Sequence, residues 1–141
     1  MNKIKTIIVC SLIILIILTL WEKKEREDFK QRALLALEIQ KAVEFLIVDL
    51  PQAQENSIKD VPADGIWYHH IAFDLASQGV FEYLIKDGSL FRINKGKLLL
   101  IADNIGDLRI RRYKNVPNIL EIQIEAHKNV SLISNLRIRI R

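Results

Sequence analysis

The side chains able to do chemistry are few and scattered. His69 and His70 are adjacent, and neighbours on an extended chain point to opposite faces, so the pair cannot chelate one ion together. His127 is distant in sequence, and no helical H-x-x-x-H spacing joins any of the three. Ser77, Ser89, Ser131 and Ser134 lie outside any G-x-S-x-G elbow. The five glycines stand far apart and form neither a phosphate-binding loop nor a dinucleotide fingerprint. Asp103 and Asp107, with Asn104 and Gly106 beside them, read as a polar turn between strands, because too few ligands converge for a cation site. The single cysteine, Cys10, excludes an intramolecular disulfide framework and a Cys-based zinc cluster. These residues predict no catalytic site, no metal centre and no cofactor, and therefore not an enzyme.

Size and charge point the same way. A chain of 141 residues allows one small domain, and part of it is unavailable for a core. Residues 108–141 carry eight Lys/Arg against two Glu, a balance of +6 where the whole chain has +4, so residues 1–107 carry −2. The basic character thus belongs to the end of the sequence. Arg on the solvent side of edge strands, where charge discourages aggregation, accounts for it; an acidic partner, anionic lipid or nucleic acid would also meet it. Nucleic acid is the weaker alternative, since only Tyr113 offers an aromatic platform among the basic strands.

From Thr6 to Trp21 the sequence TIIVCSLIILIILTLW has no charge, and eleven of its sixteen residues are Ile, Leu or Val. At roughly −0.3 to −0.6 kcal/mol each, these favour membrane insertion by about 3–7 kcal/mol before the polar residues subtract their part. The helical rise, roughly 24 Å, falls a little short of a hydrocarbon core of about 30 Å. Lys5 and Lys23 can snorkel across the difference, and Trp21 suits the interface. Leu20-Trp21-Glu22-Lys23 is not a signal-peptidase site, so the segment reads as an uncleaved anchor. Lys23, Lys24, Arg26, Lys30 and Arg32 outnumber the positive groups ahead of the run, which by the positive-inside rule would put the C-terminal domain in the cytoplasm; interleaved Glu22, Glu25, Glu27 and Asp28 soften the local field. Composition leaves the side open.

Between Glu22 and Asp49 there is neither Gly nor Pro, good helix formers dominate, and Pro51 supplies the stop. One helix is expected from about Ile4 to Leu50, with Leu35, Ile39, Ala42, Leu46 and Leu50 forming its buried stripe. Phe45, Ile47 and Val48 widen that stripe, so the helix end is expected to be covered by its own sheet and, as an alternative, also by a neighbouring subunit. After a polar loop the period becomes two. Strands are expected at 66–74, 80–86, 89–94, 97–102, 108–113, 119–127 and 131–141, with Asp87-Gly88 the strongest hairpin signal. LRIRR and LRIRIR alternate Leu/Ile with Arg, as in strands that cover a core on one side. The expected organisation is α+β: a cytoplasmic N-terminus at 1–5, a transmembrane helix at 6–21, an amphipathic stalk and core helix at 22–50, a loop at 51–65 and a small antiparallel sheet domain at 66–141.

Four segments carry a family likeness. Val48-Asp49-Leu50-Pro51-Gln52-Ala53, Asp87-Gly88-Ser89-Leu90-Phe91-Arg92, the stretch Leu100 to Ile110 and the closing Leu136 to Arg141 stand in an order that resembles type IV pilin-like proteins. The closest resemblance is to the J-type minor pseudopilins of type II secretion and the W-type minor pilins. It implies a structural subunit of a secretion, pilus or DNA-uptake machine that acts by helix packing, anchored once in the inner membrane with its C-terminal domain outside the cytoplasm. It implies as partners other pilin-like subunits, inner-membrane assembly proteins and the lipid bilayer, and no small-molecule substrate. Leu35, Ile39, Ala42, Leu46 and Leu50 would be the subunit-packing face, and Arg109, Arg111, Arg137 and Arg139 the partner surface. The run here begins Lys5-Thr6-Ile7-Ile8-Val9-Cys10, without the family's Gly-Phe-Thr-x-x-Glu processing motif. The other reading is a single-pass anchored module whose basic sheet binds an acidic partner or DNA.

Overall fold

The structure is a computed structural model that describes the backbone of residues 2–141 and side chains from Ile8 onward. Met1 and the side chains of residues 2–7 lie outside the described residues, and with them the expected cytoplasmic end at 1–5 and the placement of Lys5.

The absence of Gly and Pro has its consequence. One helix, α1, runs unbroken from Asn2 to Asp49, and a 3-10 turn at Leu50–Gln52 ends it at Pro51. From Ile8 to Lys30 no side chain is buried. Beyond that, Leu35, Ile39, Ala42, Leu46 and Leu50 all enter the core, joined by Ala53, Ile58 and Val61 of the following loop. The stripe of 3–4 spacing is therefore the face that meets the chain's own strands. Its burial corrects the assignment of these five residues to subunit packing, since the fold itself covers them. Leu34, Leu37, Ile47 and Val48 face outward instead.

Seven antiparallel strands follow: β1 (Ile71–Leu75), β2 (Gly79–Lys86), β3 (Ser89–Asn94), β4 (Lys97–Asp103), β5 (Ile105–Tyr113), β6 (Val116–His127) and β7 (Ser131–Arg139). The α+β class holds, but the strands form two sheets rather than one, ordered β1-β2-β3-β4 and β5-β6-β7. Asn104 breaks the ladder. Its φ of +55° turns the chain between β4 and β5, which asparagine tolerates better than most residues. The inner faces of both sheets enclose one core, with Phe73, Tyr83 and Leu90 from the first and Leu108, Ile110, Leu120, Ile122 and Ile124 from the second.

The strand expected at 66–74 divides between the sheets. Tyr68 exchanges two backbone hydrogen bonds with Ile110 on the edge of β5, at 2.8 and 2.7 Å, and Gly65 N–H reaches Arg112 O at 2.8 Å. Past His70 the chain enters the other sheet as β1. Gly65 needs its missing side chain here, because φ is +79° and a Cβ would lie 3.1 Å from the Tyr113 ring. Asp87-Gly88 and Lys95-Gly96 both have positive φ at each residue, the two-residue hairpin geometry. Val116-Pro117-Asn118, which separates the strands expected at 108–113 and 119–127, lies within β6.

Candidate functional site

The helix and the first sheet are locked together by a polar cluster. Asp49, the last residue of α1, is 4 % exposed. Its carboxylate receives Arg92 Nε at 2.7 Å and Arg92 Nη2 at 3.0 Å, a bidentate pair, and Tyr83 O–H donates at 2.6 Å. The Arg92 guanidinium lies 4.2 Å from the Phe81 ring centre and 5.8 Å from that of Phe45. Burial, then the bond to Asp49, pushes the Tyr83 phenol well above its ordinary pKa. Two guanidinium nitrogens and the phenol converge on one carboxylate, so the cluster is suited to fixing an angle between elements. It lacks a free nucleophile or base.

Arg112 does the same for the loop after α1. The LRIRR alternation places it on the inner side of β5, where it is 8 % exposed. Its guanidinium donates to the backbone carbonyls of Val61 and Ile58, the latter at 2.6 Å, and of Glu55 at 3.3 Å. The C-terminal end completes this closure, with Glu55 N–H to Arg141 O at 2.8 Å and Arg141 N–H to Ala53 O at 3.1 Å. Sequence pattern did not join the members of either cluster. Arg92 sits in an ordinary hairpin strand, and Arg112 differs from its basic neighbours only by parity along β5.

The candidate partner surface is the outer face of β5-β6-β7. Arg109, Arg111, Arg137 and Arg139 all lie on it, and the fold interleaves acids among them. Glu121 takes Arg111 Nε on one oxygen and Arg137 Nη2 on the other, both at 2.8 Å. Asp107 takes Arg109 Nε at 2.5 Å and His69 Nδ1 at 2.9 Å. Among the described residues Arg139 alone of the four is in no ion pair. The hydrogen bond from Arg111 holds the Glu121 carboxyl below its usual range. Burial pushes Asp107 up, but the bonds from His69 and Arg109 outweigh it and leave the group lowered. The Arg111 guanidinium also stacks 4.2 Å from the Trp67 ring centre and 5.0 Å from that of Tyr113. Trp67, Arg111, Glu121, Gln123, Asn135 and Arg137 line a shallow open groove there.

The remaining polar residues diverge. His70 contacts Asp60 through Nδ1 at 2.5 Å and Glu82 through Nε2 at 2.6 Å, while His69 faces Asp107 in the other direction. Asp103 accepts Ser89 O–H at 2.8 Å, so it and Asp107 hold different partners on different sheets. No group of three metal-ligating side chains occurs among the described residues. Among them, too, no helix is long and apolar enough to cross a membrane. The described apolar stretch of α1, Ile8–Trp21, rises only about 21 Å. No family model matches this chain, and neither does any curated protein or solved structure.

Proposed function

We propose that this chain is a structural subunit of the minor pilin or pseudopilin type, anchored by the N-terminal part of α1 and working through helix packing and subunit contacts in a secretion, pilus or DNA-uptake machine. The observation that carries the reading is α1 itself. It is one rod of 48 residues with no buried side chain from Ile8 to Lys30, and its second half is built into the strand domain. An apolar helix that nothing in its own chain covers needs another cover, and lipid or neighbouring helices supply it. The run from Thr6 to Trp21 is the lipid-facing part, with the stalk Glu22–Arg32 leaving the headgroups. Subunit contacts fall to the outward face, at Leu34, Leu37, Ile47 and Val48. Paired carboxylates on the arginine face speak for short-range protein contacts rather than for nucleic acid, which needs unneutralised cations.

Fractionation and cross-linking test this together. The full chain should resist carbonate extraction from membranes, and a chain starting at Glu22 should be released. In a Cys10→Ser background, Leu37→Cys should cross-link to the helix of another pilin-like subunit, and Leu46→Cys should not. A reporter at Arg141 should be active outside the cytoplasm. A cytoplasmic reporter signal, or a carbonate-soluble full chain, overturns the reading.

A further inference from the structure

Four strand edges bound the two sheets; two are covered and a third carries charge. On β1 the outward N–H groups of Ala72 and Asp74 are taken by Asp60 at 2.8 Å and Ser57 at 3.0 Å. On β5 the segment at Gly65 and Tyr68 lies along the edge. β7 keeps its edge but carries Arg137 and Arg139, charges that discourage pairing. β4 has no covering segment between Lys97 and Leu100, and its one charge there, Lys97, stands at the hairpin end. Leu98, Leu99 and Leu100 there are 55 %, 46 % and 50 % exposed, three leucines in succession on an edge strand.

Register shows which backbone groups stand open. Lys95-Gly96 is a two-residue hairpin loop, so Lys97 bonds inward to Asn94, Leu98 points outward, Leu99 bonds inward to Arg92, and Leu100 points outward again. After the bulge, the outward N–H of Asp103 is taken by Glu38 of α1 at 2.7 Å. The helix thus closes the far end of this edge and leaves about four residues free.

We infer that the Lys97–Leu100 edge of β4 is a docking site for an extended strand of a different protein chain, added antiparallel, with aliphatic side chains against the leucines and an acidic residue beside Lys95 and Lys97. Backbone pairing supplies the affinity and the side chains the register. Charge sets the order of the strand's ends. Lys95 and Lys97 mark the hairpin end of β4 and Asp103 the other, where Glu38 is paired with Lys41 at 2.7 Å, so an antiparallel strand should be acidic toward its C-terminus and basic toward its N-terminus. A second copy of this chain fits poorly. Asp103 lies beside Glu38, and Leu99 pairs with Arg92, which holds Asp49, so β4 runs against the direction of α1. Antiparallel β4 pairing between copies would aim their N-terminal helices in opposite directions, whereas two subunits in one membrane share a direction; this choice of occupant rests on the membrane reading.

The test uses the full chain in detergent micelles and the peptide acetyl-Lys-Val-Thr-Val-Thr-Val-Glu-amide. Hydrogen exchange at Leu98 and Leu100 should slow at least tenfold at saturating peptide, with the outward amides of β1 and β7 unchanged. The peptide with Lys and Glu exchanged should bind at least fivefold more weakly, and the double substitution Lys95→Glu with Lys97→Glu should reverse that order. Leu98→Lys with Leu100→Lys, folded by its circular dichroism, should lose protection. Unchanged exchange at millimolar peptide, protection along β7, or indifference to charge reversal overturns the site, whatever becomes of the membrane anchor. A β4-linked dimer without peptide overturns the choice of a different chain.

Discussion

Asp49 and Arg92 hold each other through two parallel N–H···O bonds, which tie the last turn of the rod to the third strand of the first sheet. Removing one partner strands the other charge in a site with Phe45 and Phe81 for neighbours. Asp49→Ala should therefore cost about 3–5 kcal/mol of unfolding free energy. Tyr83→Phe removes one hydrogen bond to an ionised acceptor and should cost about 1.5–3 kcal/mol. Urea unfolding reads both. An Asp49→Ala chain within about 0.5 kcal/mol of the parent, the ordinary range for surface substitutions, would show that the helix is held by its apolar stripe alone.

Arg112 should matter through the loop rather than through the sheet. Its donors gather three carbonyls of the loop, at Glu55, Ile58 and Val61, onto one guanidinium. Arg112→Ala should cost about 2–3 kcal/mol and open residues 53–64 to limited proteolysis while the strands stay protected. Arg112→Lys keeps the charge but loses the planar fork and should restore only part of the resistance. Cleavage unchanged in both variants would remove Arg112 from this role.

Much of the fold was legible because it rests on local rules. The missing Gly and Pro made the rod, the 3–4 spacing of Leu35 to Leu50 made its buried face, and Asp87-Gly88 made a hairpin. What escaped depends on parity and distance. Asn104 in a left-handed conformation splits the strands into two sheets, and one residue's conformation is not a periodic signal. The arginine face looked basic because its charges were summed over residues 108–141, whereas Glu121 of β6 sits between Arg111 and Arg137, and Asp107 and the stacking Trp67 come from outside that stretch. Arg112 was grouped with its outward neighbours, although period two already put it beside Leu108 and Ile110.

Glu121 gives the arginine face a pH signature. Its carboxyl titrates lower in the folded chain than in the unfolded one, chiefly through the bond from Arg111. The stabilisation it contributes is present above the ordinary carboxylate value of about 4.5 and is lost as pH falls through the lower folded value. The stability difference between the parent and Glu121→Gln should be constant from pH 8 to about 5 and shrink below that. It should also shrink with added salt, because Arg137 is largely exposed. A difference that does not change between pH 8 and 3 would mean the pairing adds nothing to folding.

The two faces of α1 should separate cleanly under mutation. Leu46 is fully buried against the strands, so Leu46→Ala leaves a cavity in a packed core and should cost about 2–5 kcal/mol. Leu37 points away from the domain, and Leu37→Ala should stay within about 0.5 kcal/mol of the parent in micelles. If the outward face packs on other subunits, that same silent substitution should weaken co-purification of a pilin-like partner from membranes. Leu46→Ala would also lower such recovery, but only in step with its lost stability. Measuring both quantities for both variants therefore distinguishes a face that builds the fold from one that joins chains. Were Leu37→Ala to destabilise the isolated chain as much as Leu46→Ala, the rod would have no free side and the packing role would fail.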